Sequence, residues 1–140
     1  MSKTCLMAAL FAATAPTYAA DAPETERSIE GVRAVEAHWQ KAFLSGDGAY
    51  LETLLDPAYV SVGHAGNARP KAEIIALAKK VAEKNMTPQP PEHPATIVVR
   101  DNAAIVTDSA SGDTSVDVFY YADGRWHAWY SQHTPVQPPK

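Results

Sequence analysis

The hydrophobic period shifts along this chain, helical in the first half apart from one inserted strand and strand-like after it, and that order limits the folds open to it. From Glu24 to Val81 most apolar residues recur every three or four positions. Beyond a connector from Met86 to Pro94, which holds four prolines, they lie in runs divided by the turn pairs Asp101-Asn102 and Asp123-Gly124. Helices followed by antiparallel hairpins make an α+β order rather than alternating βαβ units. With 140 residues there is room for one domain.

Ile29, Val32, Val35, Trp39 and Phe43 form the stripe of a first helix, which Ser45-Gly46 ends because glycine takes the left-handed conformation cheaply. Asp47 caps a short second helix carrying Tyr50, Leu51, Leu54 and Leu55, closed by Pro57. Ala58 to His64 reads as a strand, with Tyr59, Ser61 and Gly63 on one face and Val60, Val62 and His64 on the other. Pro70 opens a third helix with Ile74, Leu77, Ala78 and Val81 buried, ending at Asn85. Four strands follow: Thr96–Arg100, Ala103–Asp108, Thr114–Tyr121 and Arg125–Thr134.

Residues 1–20 read as a secretory signal peptide: Lys3, an apolar run from Cys5 to Ala15 too short to span a membrane, then small residues with cleavage expected after Ala19 or Ala20. The expectation is a periplasmic or secreted protein with a flexible start at 21–27, a domain over 28–136 and a tail over 137–140. Cleavage would remove Cys5, the only cysteine, and with it disulfides, thiol catalysis and cysteine-ligated metals. Losing Lys3 leaves 11 basic against 16 acidic side chains, a net charge of −5. Such a surface argues against nucleic acid and anionic lipid as partners.

Several short marks occur in a fixed order: Trp39-Gln40-Lys41-Ala42-Phe43 leading to Gly46-Asp47, Leu54-Leu55-Asp56, Lys71-Ala72-Glu73, and Asp123-Gly124-Arg125-Trp126 running to Gln132-His133-Thr134-Pro135. Over Ser28 to Val136 the chain resembles the nuclear transport factor 2-like superfamily, in particular its small exported SnoaL-like, ketosteroid-isomerase-like members. The resemblance implies a cone: three N-terminal helices packed on a strongly curved antiparallel sheet around a pocket. It also implies positions for the isomerase roles. The oxyanion-binding tyrosine falls on Trp39, the aspartate base at or beside Val62, and a second oxyanion-binding aspartate near Asp117. Two of the three roles are missing, and the carboxylate–arginine–carboxylate set of the related epoxide hydrolases is absent from the sequence. The superfamily hosts isomerases, dehydratases, binding proteins and assembly modules, so the site has to be argued from its own residues.

A two-residue turn at Asp123-Gly124 would pair Tyr121 with Trp126, Phe119 with Ala128, Asp117 with Tyr130 and Ser115 with Gln132, all on one face. That face grades from aromatic to polar, as ligand sites do, and is assigned to the pocket. The candidate catalytic residues are His64 as general base and Asp117 as acid or hydrogen-bond donor. The candidate ligand-binding residues are Trp39, Tyr59, Val62, Phe119, Trp126, Tyr130 and Gln132. Each has a plainer reading: Tyr130 satisfying Asp117, His64 as a turn residue, Trp39 as core. His127 and His133, on one face but about 20 Å apart, cannot share a metal ion, and no cofactor is implied. The expected ligand is a small apolar or amphipathic molecule. The outer sheet face is expected to pair with a second copy.

Overall fold

The computed structural model describes residues 23–87, 93–110 and 112–136. Residues 1–20, where a signal peptide is expected, most of the proline connector and the tail at 137–140 lie outside the described residues. Three helices, α1 (Ile29–Ser45), α2 (Gly48–Leu54) and α3 (Lys71–Ala82), accompany six strands. These are β1 (Leu55–Val62), β2 (Ala68–Pro70), β3 (Thr96–Arg100), β4 (Ala103–Ala110), β5 (Asp113–Ala122) and β6 (Arg125–Pro135). They form one open sheet in the order β2-β1-β6-β5-β4-β3. The sheet is mixed rather than wholly antiparallel, because β1 runs parallel to β6. That pairing brings the strand between the helices beside the last strand of the chain.

α1 begins at Ile29, the first residue of its stripe. Ser28, in extended conformation, accepts the Gly31 N–H at 3.0 Å and caps the helix. The preceding segment crosses the helix instead of extending it. A Cβ on Gly31 would lie 2.0 Å from the Glu26 carbonyl oxygen. The same oxygen accepts from Trp126 Nε1 at 2.9 Å, and the Thr25 carbonyl accepts from Tyr121 OH at 2.6 Å. At the other end Gly46, at φ 72°, closes the helix by donating to Ala42 and Phe43 carbonyls.

α2 stops at Leu54 and β1 starts at once with Leu55, three residues before the predicted strand. Lys71 Nζ donates to the Glu52 and Leu55 carbonyls at 2.7 and 2.9 Å, satisfying backbone acceptors that α2 leaves open. Pro70 is the N-cap of α3 and the last residue of a short edge strand that the sequence presents only as a turn. In α3 the fully buried residues are Ile74, Ile75 and Ala78. The core joins Val32, Val35, Leu51 and Leu54 of the helices to Phe119, Trp126 and Ala128 of the sheet. The helices therefore cover one sheet face and leave the other bare.

Candidate functional site

Strand pairing arranges the covered face in rungs. The innermost rung, Ala104, Phe119 and Ala128, is apolar and at most 1% exposed. The next, Val106, Asp117, Ser131 and Ser61, is also buried, at no more than 7% exposed, but polar across three of its four members. The third, Asp108, Ser115 and His133, is half-buried. Beyond it, Asp113 Oδ1 meets His64 Nε2 at 2.9 Å and Asp113 Oδ2 meets His133 Nδ1 at 3.1 Å. The face therefore passes from a dry apolar floor to a polar, partly wetted rim, the gradation common in ligand sites.

Asp117 is 7% exposed. Ser131 Oγ donates to its Oδ1, and Tyr59 OH donates in turn to Ser131 Oγ at 2.7 Å. Burial pushes the Asp117 carboxyl up, and the hydrogen bonds from Ser131 and Ser115 and the nearby His133 only partly oppose it. Glu36 of α1 belongs to the same group. The residue keeps some exposure, yet its Oε1 is fully enclosed and has no hydrogen-bond partner among the described residues. Burial first, then the charges of Asp117 and Asp108, raises its carboxyl well above the ordinary value. At the rim the balance reverses. Burial pushes Asp113 up, but hydrogen bonds and charge from His133 and His64 outweigh it and hold that carboxyl below its usual range.

The residues expected at a site divide between the two faces. Asp117, Tyr59, Phe119, Trp126 and Trp39 lie on the covered side; the Trp39 ring stands edge-on to Tyr59 at 6.0 Å and to Phe119 at 5.8 Å. Trp126 donates its indole N–H to the N-terminal segment and sits in the apolar end. Tyr130 and Gln132 turn to the bare face. The reason is a bulge between Phe119 and Val118: Ala128 and Tyr130 face these two strand neighbours, so Trp129 is the extra residue. Past it every predicted pair slips by one, and Asp117 stands opposite Ser131, not Tyr130. Tyr130 OH bonds its bare-face neighbour Gln132 instead, at 2.9 Å. Val62, opposite Gln132, shares the bare face. The same slip separates His127, stacked on Tyr120, from His133 at the polar rim.

His64 does not meet Asp117. Its side chain is 52% exposed and its partner is Asp113. Sequence reasoning passed over Glu36, although a carboxylate between Val32 and Trp39, one turn from each, interrupts an apolar stripe. It also passed over Ser131 and Asp113, which the bulge and the edge of the hairpin bring inward. A cavity of about 250 Å³ opens elsewhere, at the apolar end, between Glu24, Tyr50, Val35, Arg125 and Trp126. Of the expected site residues only Trp126 lines it. Beside it Glu24 joins His38 at 2.5 Å and Tyr50 OH at 3.0 Å, and His38 stacks on Tyr50. Both partners are satisfied, and the trio fastens the N-terminal segment to α1 and α2.

No family model matches the chain. No curated protein matches it in sequence. Solved structures do match in fold. The chain is similar to an NTF2-like protein from Cytophaga hutchinsonii, with a TM-score of 0.67 at 17% identity over 76% of this chain and 97% of that one. It is similar to a provisionally named Ca/calmodulin-dependent kinase II association domain from Exiguobacterium sibiricum, with a TM-score of 0.64 at 18% identity over 81% and 98%. A third likeness is to a provisionally named dehydratase from the NTF2-like family of Streptomyces avermitilis, with a TM-score of 0.60 at 15% identity over 79% and 96%. The chain has the nuclear transport factor 2-like fold, α+β with three helices on a six-stranded mixed sheet.

Proposed function

We propose that this domain binds a small amphipathic molecule at the polar end of its covered face and performs cofactor-free acid/base chemistry of the isomerase or lyase type on it. The observation that carries the reading is the enclosed, unpartnered Oε1 of Glu36 beside the buried Asp117. An unsatisfied buried acceptor costs about 1–3 kcal/mol. Such a group calls for an explanation, and a ligand that completes it supplies one. Two interacting carboxyls that resist ionisation can hold one proton between them, so one donates while the other accepts. The dehydratase name of the Streptomyces avermitilis neighbour is compatible with that chemistry.

In this reading Asp117 keeps its predicted place as acid, and Glu36 takes the role of base that the sequence suggested for His64. Trp39, Tyr59 and Phe119 supply the apolar wall. The bare face, with Val98, Ile105, Trp129 and Tyr130 between 36% and 55% exposed, pairs with a second copy. Residues 1–20 direct export, so the domain works in the periplasm or outside the cell. The test is native mass spectrometry of protein purified without denaturation, with Glu36→Gln and Asp117→Asn alongside. A co-purified small molecule retained by the parent and lost from both variants supports the reading. Equal retention by all three refutes it. A non-catalytic binding module would retain a ligand that is released chemically unchanged.

A further inference from the structure

The binding reading leaves the chemical class of the ligand open, and the charges on the covered face narrow it. Carboxyl side chains from three elements gather there: Glu36 of α1 feels the charges of Asp117 of β5 and Asp108 of β4, and Asp117 feels that of Asp108. Tyr59 of β1, Tyr50 of α2 and His133 of β6 are further titratable groups that act on them or feel their charge. Of these, His133 alone can carry positive charge, and it is already engaged with Asp113. An anionic ligand end, whether carboxylate, phosphate or enolate, would enter against like charge. A neutral hydroxyl would satisfy Oε1 of Glu36 but leave the mutual repulsion of the carboxyls unchanged. Among the described residues no three Asp, Glu or His side chains converge closely enough to hold a metal ion.

Trp39 supplies the second element. It follows Glu36 by three residues on the same helix face, and its ring stands against Tyr59 and Phe119, the first joined to Asp117 through Ser131 and the second two residues from it on β5. A carboxylate with an indole one turn away suits a cationic head on an apolar body, through ion pairing and cation–π attraction together.

We propose that the ligand is a small organic cation, an apolar amine whose ammonium group docks at Glu36 Oε1 and Asp117 with its carbon chain against Trp39. This rests on the binding reading above. The ammonium replaces the proton that the empty carboxyl group holds, so that proton leaves to solvent as the amine binds.

The probes are hexylammonium, hexanol and hexanoate, which share one apolar body, titrated calorimetrically near neutral pH into protein expressed from the full sequence. Phosphate and HEPES buffers, which differ in ionisation heat and carry no primary ammonium group, reveal proton release. Hexylammonium is expected to bind at least about tenfold tighter than hexanol, with hexanoate weakest. Its binding heat is expected to depend on buffer. Glu36→Gln, checked for folding by circular dichroism, brings the amine down to the level of the alcohol while the alcohol is retained. Hexanol or hexanoate binding as well as the amine, with loss in Glu36→Gln, overturns the cation and leaves the site standing. Binding of none of the three overturns the proposal and the reading beneath it. A buffer-independent heat for the amine overturns the proton exchange and with it the docking at Glu36.

Discussion

Replacing Glu36 by Gln should change how stability depends on pH more than it changes stability itself. The carboxyl is raised in the folded protein by burial and by Asp117 and Asp108, whereas in the unfolded chain it titrates near the ordinary value. Between those two values the folded state binds a proton that the unfolded state has released. Stability therefore falls as pH rises through the window above the ordinary glutamate pKa. The slope reaches about 1.4 kcal/mol per pH unit for one proton. Asp117, also raised, adds to it in the same direction. Gln has no proton to take up, so the variant's curve should be flatter over that range by up to about 1.4 kcal/mol per pH unit. Comparing slopes also cancels the constant cost of an unsatisfied amide at the same position. Urea unfolding of parent and variant from about pH 4.5 to about pH 7.5 measures the difference. Parallel curves would refute the reasoning, because they would mean that Glu36 is hydrated and titrates alike in both states.

The acid side has the opposite sign. Asp56, held low by Tyr120 OH, and Asp113, held low by His133 and His64, lose their stabilising contacts as pH falls through their folded values. Glu36, Asp117, Asp56 and Asp113 together thus favour the mildly acid side, and stability that rises steadily through the window above the ordinary carboxylate values in the same urea series would contradict it. Gly31→Ala should destabilise in spite of a helix-propensity gain of about 1 kcal/mol, because its Cβ would lie 2.0 Å from Glu26 O. The expected net loss is about 1–3 kcal/mol, read as a lowered thermal midpoint. Ser131→Ala removes the hydroxyl between Tyr59 and Asp117 and should cost about 1–3 kcal/mol by urea titration while raising the Asp117 carboxyl further. Trp129→Ser, on the bare face, should weaken the proposed self-association in sedimentation velocity while lowering the monomer's stability by no more than about 1.5 kcal/mol through the lost Tyr120 contact.

The sequence carried the helices and turns because these depend on local chemistry. Gly46 and Asp123-Gly124 adopt the positive φ values that their turns require, and Asp47 caps α2 through the Tyr50 N–H at 3.0 Å. Tyr121 opposite Trp126 and Phe119 opposite Ala128 followed directly from the turn. What failed was non-local. Trp129 and Tyr130 are both large amphipathic residues, and nothing in their identity says that one is surplus to the ladder. Yet that one residue decides whether Tyr130 or Ser131 meets Asp117. The parallel union of β1 with β6 depends on packing across the whole domain and leaves no local signature. Glu36 was legible in principle as a charge within an apolar stripe. Its significance came only with Asp108 and Asp117, more than 70 positions away, as neighbours.

Carbon-13 NMR titration of the Glu36 and Asp117 side-chain carboxyls in the free protein tests the proton-holding pair most directly. Both midpoints should lie above the ordinary carboxylate values, that of Glu36 well above, and each should respond when the other residue is made an amide. Midpoints at ordinary values, with neither residue sensing the other, would mean two independent hydrated carboxylates and no acid/base site at this end of the fold.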